Sequence, residues 1–302
     1  MQIGFAAPLS GSWATPANMV EIAVAAEGLG YSSLWTFQRL LSPVDEQGEF
    51  VLAPQYRSVH DPLSTLAFLA GRTSTIRLGV AVLNLPFYAP LVLAKQLTSI
   101  DVLSGGRLDV GLGTGWSPDE FEAAGVPMAR RGKRADDFLA TLEAIWGGGV
   151  VDHTGDFYRV PRSRIEPAPV QQPHPPVLLG GMSDAALRRA GRAADGWISS
   201  SQADLSRIDE SIDVVRAAAR DAGRKVDALR FVCRGVVKVR AGERGPLTGS
   251  LDEVREDLAM LAGKGVTEVF VDLNFDPEIG SPDADPEVSM RRARAVLEAL
   301  AP

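Results

Sequence analysis

Two glycine-rich turns are the parts of this sequence best suited to holding a ligand. Gly111-Leu112-Gly113-Thr114-Gly115-Trp116-Ser117-Pro118 and Leu179-Gly180-Gly181-Met182-Ser183 each follow a short apolar run and precede a helical pattern. Glycine lets backbone approach a ligand closely, and a helix start presents unpaired N–H groups to an anion. A single turn of this kind reads as a tight bend only; two of them at strand ends point to a phosphorylated cofactor. The G-x-G-x-G spacing is not a dinucleotide fingerprint, because Trp116 stands where the last glycine belongs, and this disfavours a nicotinamide-binding doubly wound fold.

Other chemistry-bearing residues carry less. His60, His153 and His174 match no metal-ligand spacing, so no metal site is expected. The lone cysteine, Cys233, sits in an apolar run and reads as a buried small side chain. No G-x-S-x-G elbow is present, which argues against a serine hydrolase. Arg130-Arg131-Gly132-Lys133-Arg134 is a basic run that serves either as a solvated helix start or as a docking point for an anionic tail. Trp35, Phe37, Phe87, Tyr88 and Trp116 fall at or just beyond strand ends, where aromatic rings would wall a flat cofactor; Trp35 equally suits a core.

The elements that must position these residues alternate strand and helix. Short β-rich runs occur at Gln2–Ala7, Ser33–Phe37, Ile76–Leu83, Leu108–Leu112, Val177–Leu179, Gly196–Ser200, Phe231–Val239 and Val269–Leu273. Most are apolar on successive residues, the pattern of parallel strands covered on both faces. Helical spacing of three and four follows in Leu205/Ile208/Ile212/Val215 and in Leu251/Val254/Leu258/Leu261, with a further apolar stripe from Phe138 to Trp146. Thr15-Pro16 and Asp61-Pro62 place a capping side chain before proline, and the runs starting at Ser117 and Ser250 fit the capping box. Eight βα units favour a closed barrel over an open sheet, with the active site at the strand C-termini. The fold class expected is therefore α/β, a single (β/α)₈ TIM barrel over residues 1–302, with insertion loops after the second and fourth βα units. Those loops are Gln38 to Val59 and the proline-rich Gly147 to Pro176, and both are expected to wall the substrate pocket.

The overall composition removes several classes. At 302 residues and 45% apolar the chain can bury one large core, and 23% charged residues exclude disorder. Thirty-one basic against 38 acidic side chains give a net charge of −7, so no nucleic-acid partner is expected. The N-terminus lacks a signal-peptide core and no apolar run reaches membrane-spanning length, so a cytoplasmic protein without a membrane partner is expected.

The sequence resembles the bacterial luciferase-like superfamily of barrel flavoenzymes, and specifically its deazaflavin-dependent oxidoreductases. The likeness is carried by Ile76-Arg77-Leu78-Gly79-Val80-Ala81-Val82, Ala94-Lys95-Gln96-Leu97 through Asp101, and Ser104-Gly105-Gly106-Arg107-Leu108. It continues through Gly111 to Trp116 with Glu120-Phe121, then Pro176 to Gly181 and Ala194-Asp195-Gly196-Trp197. The resemblance implies a cofactor lying across the strand C-termini: coenzyme F420, a hydride-carrying 5-deazaflavin, or alternatively FMN with oxygen. It implies cofactor contacts from Ala81, Val82 and Asn84, from Gly113, Thr114 and Gly115, and from Gly180, Gly181 and Met182. It also implies a non-prolyl cis bond between Ala81 and Val82 within a bulge, and a homodimer.

One departure bears on mechanism. Where sugar-phosphate dehydrogenases of the family carry an Asp-His pair after the second strand, this chain has Gln38 and Arg39, and the acidic residue after the fourth-strand glycines is Trp116. Arginine cannot act as a neutral base near pH 7. The catalytic expectation is that Arg39 polarises a substrate carbonyl or binds an anionic group while Gln38 orients cofactor or substrate. As an exposed strand-end residue, Arg39 would then matter more for turnover than for stability. The reading is an F420-dependent oxidoreductase acting on a small organic substrate. Its alternatives are an FMN-dependent monooxygenase served by a separate flavin reductase, and a non-catalytic flavin-binding relative.

Overall fold

The computed structural model describes residues 1–302. Eight parallel strands close into a barrel: β1 (Gln2–Ala6), β2 (Ser33–Thr36), β3 (Arg77–Asn84), β4 (Leu108–Gly113), β5 (Val177–Gly180), β6 (Gly196–Ile198), β7 (Arg230–Val236) and β8 (Glu268–Asp272). Each strand pairs with its sequence neighbours, and β8 closes on β1 through Gln2 to Phe5 against Glu268 to Val271. Around them pack α1 (Pro16–Gly28), α2 (Pro62–Ala70), α3 (Pro90–Ser104), α4 (Pro118–Ala123), α5 (Arg131–Trp146), α6 (Asp184–Ala193), α7 (Ile208–Asp221), α8 (Leu251–Gly263) and α9 (Pro286–Ala299). No helix is long and apolar enough to cross a membrane.

The successive apolar residues of the strands serve two cores, as a barrel requires. One side packs against the helices in a continuous apolar layer. The other fills the barrel with Ala6, Trp35, Leu178, Ile198, Val232 and Phe270. Trp35 is fully buried and stacked on Phe270 with ring centroids 5.2 Å apart, so it is barrel core and not a cofactor wall.

Local signals hold at most termini. Thr15 and Asp61 accept the backbone N–H groups of Asn18 and Ser64, and Ser250 with Glu253 makes a complete capping box. Ser117 is an exception. Its side chain caps nothing, and Glu120, the expected box partner, turns instead to the loop after β2.

Three expectations about the irregular parts are corrected. The Gln38 to Val59 stretch lies inside the second βα unit, between β2 and α2, and not after it. The Gly147 to Pro176 stretch does follow α5, but it contains an antiparallel hairpin, Val151–Thr154 against Arg159–Ser163. Asp137 of α5 accepts the N–H groups of Phe157 and Tyr158 and clips this hairpin to the helix. Finally, the seventh strand ends at Val236; Lys238–Val239 pairs separately with Thr248–Gly249.

Candidate active site

At the C-terminal ends of the strands the barrel opens into a cavity of about 550 Å³, a size typical of small-molecule sites. Every residue expected to touch a cofactor, from the end of β3 and from the turns after β4 and β5, lines it, and Gln38 does too. Only Gln38 and Tyr56 from the first long loop reach the cavity, and nothing from Gly147 to Pro176 does. The expectation that both insertions wall the pocket is therefore wrong for the second.

The centre of the wall is Val82. The Ala81–Val82 peptide is cis, and the pairing of β3 with β4 shifts register between Val80 and Leu83. This bulge turns the Val82 isopropyl group onto neighbouring strands that carry glycine. A Cβ on Gly113 would stand 2.7 Å from Val82 Cγ2, and one on Gly180 would stand 3.1 Å from Cγ1. The glycines are thus required first by the seating of Val82, and only then by any approach of a ligand. The Gly113-Thr114-Gly115 turn does not end in an anion-binding helix start, because α4 is only six residues long and begins with proline.

Polar groups sit at both ends of this wall. Gln38 accepts the Asn84 N–H at 2.8 Å through Oε1 and donates from Nε2 to the Tyr88 hydroxyl. Burial, together with the negative charge of Asp61, pushes the Tyr88 hydroxyl up to about 12, so it stays protonated. Both ends of the Gln38 amide are committed, whereas the Asn84 side chain is left to face the cavity. On the opposite side, beyond β5 and β6, Ser183 and Ser199 to Ser201 line the cavity with Arg131. Of the basic run, only Arg131 does so; Arg130 and Arg134 lie over the Phe157 ring of the hairpin at 4.8 Å each.

Arg39 is placed differently from its expectation. It is buried, not exposed, and its Nε lies 3.0 Å from Glu120 Oε1, with both side chains almost fully excluded from water. Its guanidinium lies over Trp116 at 4.6 Å and Tyr56 at 5.1 Å, and it does not line the cavity. Glu120 also accepts the Leu40 N–H at 2.7 Å, so the pair ties the loop after β2 to α4.

Several cavity groups have no counterpart among the expected site residues, including Ser199 to Ser201, Gln202, Arg234 and Phe275. Arg234 on β7 reaches across the barrel mouth, donating from Nε to Asp272 of β8 at 2.7 Å and from Nη1 toward the Ala81 carbonyl at 3.4 Å. Phe275, just after β8, packs on that guanidinium. The available signal was a charged residue inside each of two apolar strand runs, Phe231-Val232-Cys233-Arg234 and Val269-Phe270-Val271-Asp272. Cys233 itself is fully buried, and burial pushes its thiol up to about 12.

A closed parallel barrel with a polar-ended cavity at its strand C-termini defines the (β/α)₈ class of folds. The comparisons narrow this. The luciferase-like monooxygenase family model matches residues 2–268, and the chain belongs to that family. An uncharacterized protein of Mycobacterium tuberculosis is 32% identical over 275 residues, covering 88% of each chain. The FMNH₂-dependent dimethylsulfone monooxygenase of Pseudomonas putida is 34% identical over 170 residues, 55% of this chain and 46% of that protein. Among solved structures, the monooxygenase RslO1 from Streptomyces bottropensis superposes with a TM-score of 0.79 at 23% identity, covering 99% of this chain and 98% of that one. An F420-dependent secondary alcohol dehydrogenase in complex with an F420-acetone adduct gives 0.78 at 15% identity, with the same coverage. These two likenesses concern the fold.

Proposed function

We propose that the protein is a luciferase-like oxidoreductase that holds coenzyme F420 across the barrel mouth and acts on a small organic substrate. The observation that carries this reading is the seating of Val82 on Gly113 and Gly180, which presents an apolar face between two polar ends of one cavity. A flat tricyclic ring fits against such a face. Asn84 would meet the polar edge of the ring, and Ser183, Ser199 to Ser201 and Arg131 would receive the phosphate-bearing tail. When bound, F420 supplies hydride-transfer chemistry. The chain's own part is to hold the ring, to keep Asn84 aimed through Gln38, and to confine the substrate.

A second reading is favoured by the 34% identity to the FMNH₂-dependent monooxygenase: reduced FMN with oxygen in the same cavity, supplied by a separate reductase. Titration of the purified protein with F420 and with FMN, followed by anaerobic and aerobic turnover, separates the two. Tight F420 binding without FMN binding is the expected result; oxygen-dependent turnover with reduced FMN would replace it with the second reading.

A homodimer belongs to the same proposal. Phe68 on α2 and Leu91, Val92, Val102 and Leu103 on α3 are exposed apolar side chains on adjoining helices, the kind of face that association covers. Sedimentation equilibrium giving the mass of one chain at micromolar concentration would exclude it.

A further inference from the structure

Arg234 has a geometry that neither packing nor charge balance explains fully. Its guanidinium lies between two rings, 4.7 Å from the Phe37 centroid and 4.0 Å from that of Phe275. One edge is used by Asp272, whose other oxygen already accepts the backbone and side-chain N–H groups of Asn274. One amino group leans on the Ala81 carbonyl, and the second has no protein acceptor although the residue is over nine-tenths buried and lines the cavity. A donor held this rigidly and left open on the cavity side is built to meet an acceptor brought by a ligand.

From this we infer that Arg234 is the specificity-determining residue for substrate, and that the substrate is a neutral apolar molecule carrying one strong acceptor oxygen, such as a ketone or other carbonyl compound. The inference rests on the reading of this cavity as an oxidoreductase site and adds the class of molecule it takes. Three features set that class. The open amino group demands an acceptor. The rings of Phe37, Tyr56, Trp116 and Phe275 surround that end of the cavity and demand an apolar body. The third feature is charge. Asp272, fully buried, already neutralises Arg234, so a carboxylate would bring a second, uncompensated negative charge into a buried pair, whereas a neutral oxygen accepts the hydrogen bond without adding one. Through Nη1 the Arg234 guanidinium leans on the Ala81 carbonyl, next to Val82, where the cofactor face is proposed to lie.

Three probes of similar size test this directly: acetophenone, ethylbenzene and benzoate, titrated into the full-length protein with and without cofactor and followed by calorimetry or saturation-transfer NMR. Acetophenone is expected to bind at least tenfold more tightly than either of the others. In the double variant Arg234→Met/Asp272→Asn, which leaves no buried charge unpaired, acetophenone and ethylbenzene should converge to within threefold. Comparable binding of acetophenone and ethylbenzene by the wild-type protein, or preference for benzoate, would overturn the inference whether or not the variant folds. Persistence of the tenfold preference in a folded double variant would do the same. Uptake of F420 or FMN is measured separately in the same samples, so failure of the cofactor reading is distinguished from failure of this one.

Discussion

The two ends of the barrel are both built around buried carboxylates paired with arginine, yet they complete them differently. At the N-terminal end Asp109 accepts from Arg77 at 2.6 Å and from Arg230 at 2.6 Å, and Arg230 continues to Glu268 at 2.9 Å. Glu268 also takes the Ser33 hydroxyl and the Trp35 indole N–H. Burial alone would raise the Asp109 carboxyl, but the two guanidinium groups hold it below the ordinary carboxylate range; burial would lower Arg230, and its two carboxylates raise it instead. Every charge there has its partner, with the two carboxylates fully buried and the two arginines half-buried. At the C-terminal end the pair of Arg234 and Asp272 leaves a donor open, Asn84 leaves an amide open, and a cavity stands above them.

The strongest way to test that division is to break the fully paired end. Asp109→Ala leaves Arg77 and Arg230 without their shared partner and should cost about 3–5 kcal/mol of unfolding free energy, read by urea denaturation. Cofactor affinity of the folded fraction should stay within twofold of wild type. A large loss of affinity with little loss of stability would erase the distinction between the ends.

Arg39→Ala sharpens it, because this residue lies at the open end yet forms a buried ion pair with Glu120 outside the cavity, with its Nη1 buried and left without a hydrogen-bond partner. Breaking its buried pair with Glu120 should destabilise by about 3 kcal/mol, with the larger effect on stability and not on cofactor binding. A variant of unchanged stability and abolished turnover would return Arg39 to the reacting groups. Next in size is the Val82 seat. Gly113→Ala should weaken cofactor binding at least tenfold by displacing Val82, equivalent to about 1.4 kcal/mol. Adding Val82→Ala should recover most of that loss, which a phosphate clash at Gly113 would not allow.

The smallest effect is one of pH and lies outside both ends. Glu27 of α1 accepts the N–H groups of Ser74, Thr75 and Ile76, leading into β3. Burial opposes its ionisation, but these bonds outweigh it and push the carboxyl down to about 2 from its ordinary value of 4.5. The folded-state value is lowered, so this contribution is complete above about pH 4.5 and is lost as pH falls toward 2. Glu27→Gln should flatten the stability–pH profile in that window and leave the cavity untouched. An unchanged slope between pH 4.5 and 2 would show that the contact carries no such linkage.

The barrel was legible because strand and helix periodicity, proline after capping residues and glycine at helix exits all point the same way. The cavity wall was legible through Ala81 to Asn84 and the two glycine turns, since those blocks resemble the family. The purpose of the glycines was not: it depends on how Val82 folds across strands β4 and β5, a contact between residues as distant in the chain as Val82 and Gly180. Arg39 was misplaced because its partner Glu120 is itself legible as a helix cap, and local pattern cannot show that a carboxylate leaves its cap for a distant guanidinium. Arg234 and Asp272 were missed because a strand reads as apolar overall even when one charged residue within it faces the barrel mouth.

The division between the two ends is tested most directly by hydrogen–deuterium exchange with and without saturating cofactor. The account predicts slowed exchange confined to the rim: residues 82 to 84, 113 to 116, 180 to 183 and 199 to 202. No change should occur at residues 76 to 77, 108 to 109, 230 and 267 to 268. Protection centred on the Asp109 end, or neither F420 nor FMN slowing exchange anywhere along the rim of the folded protein, would contradict it.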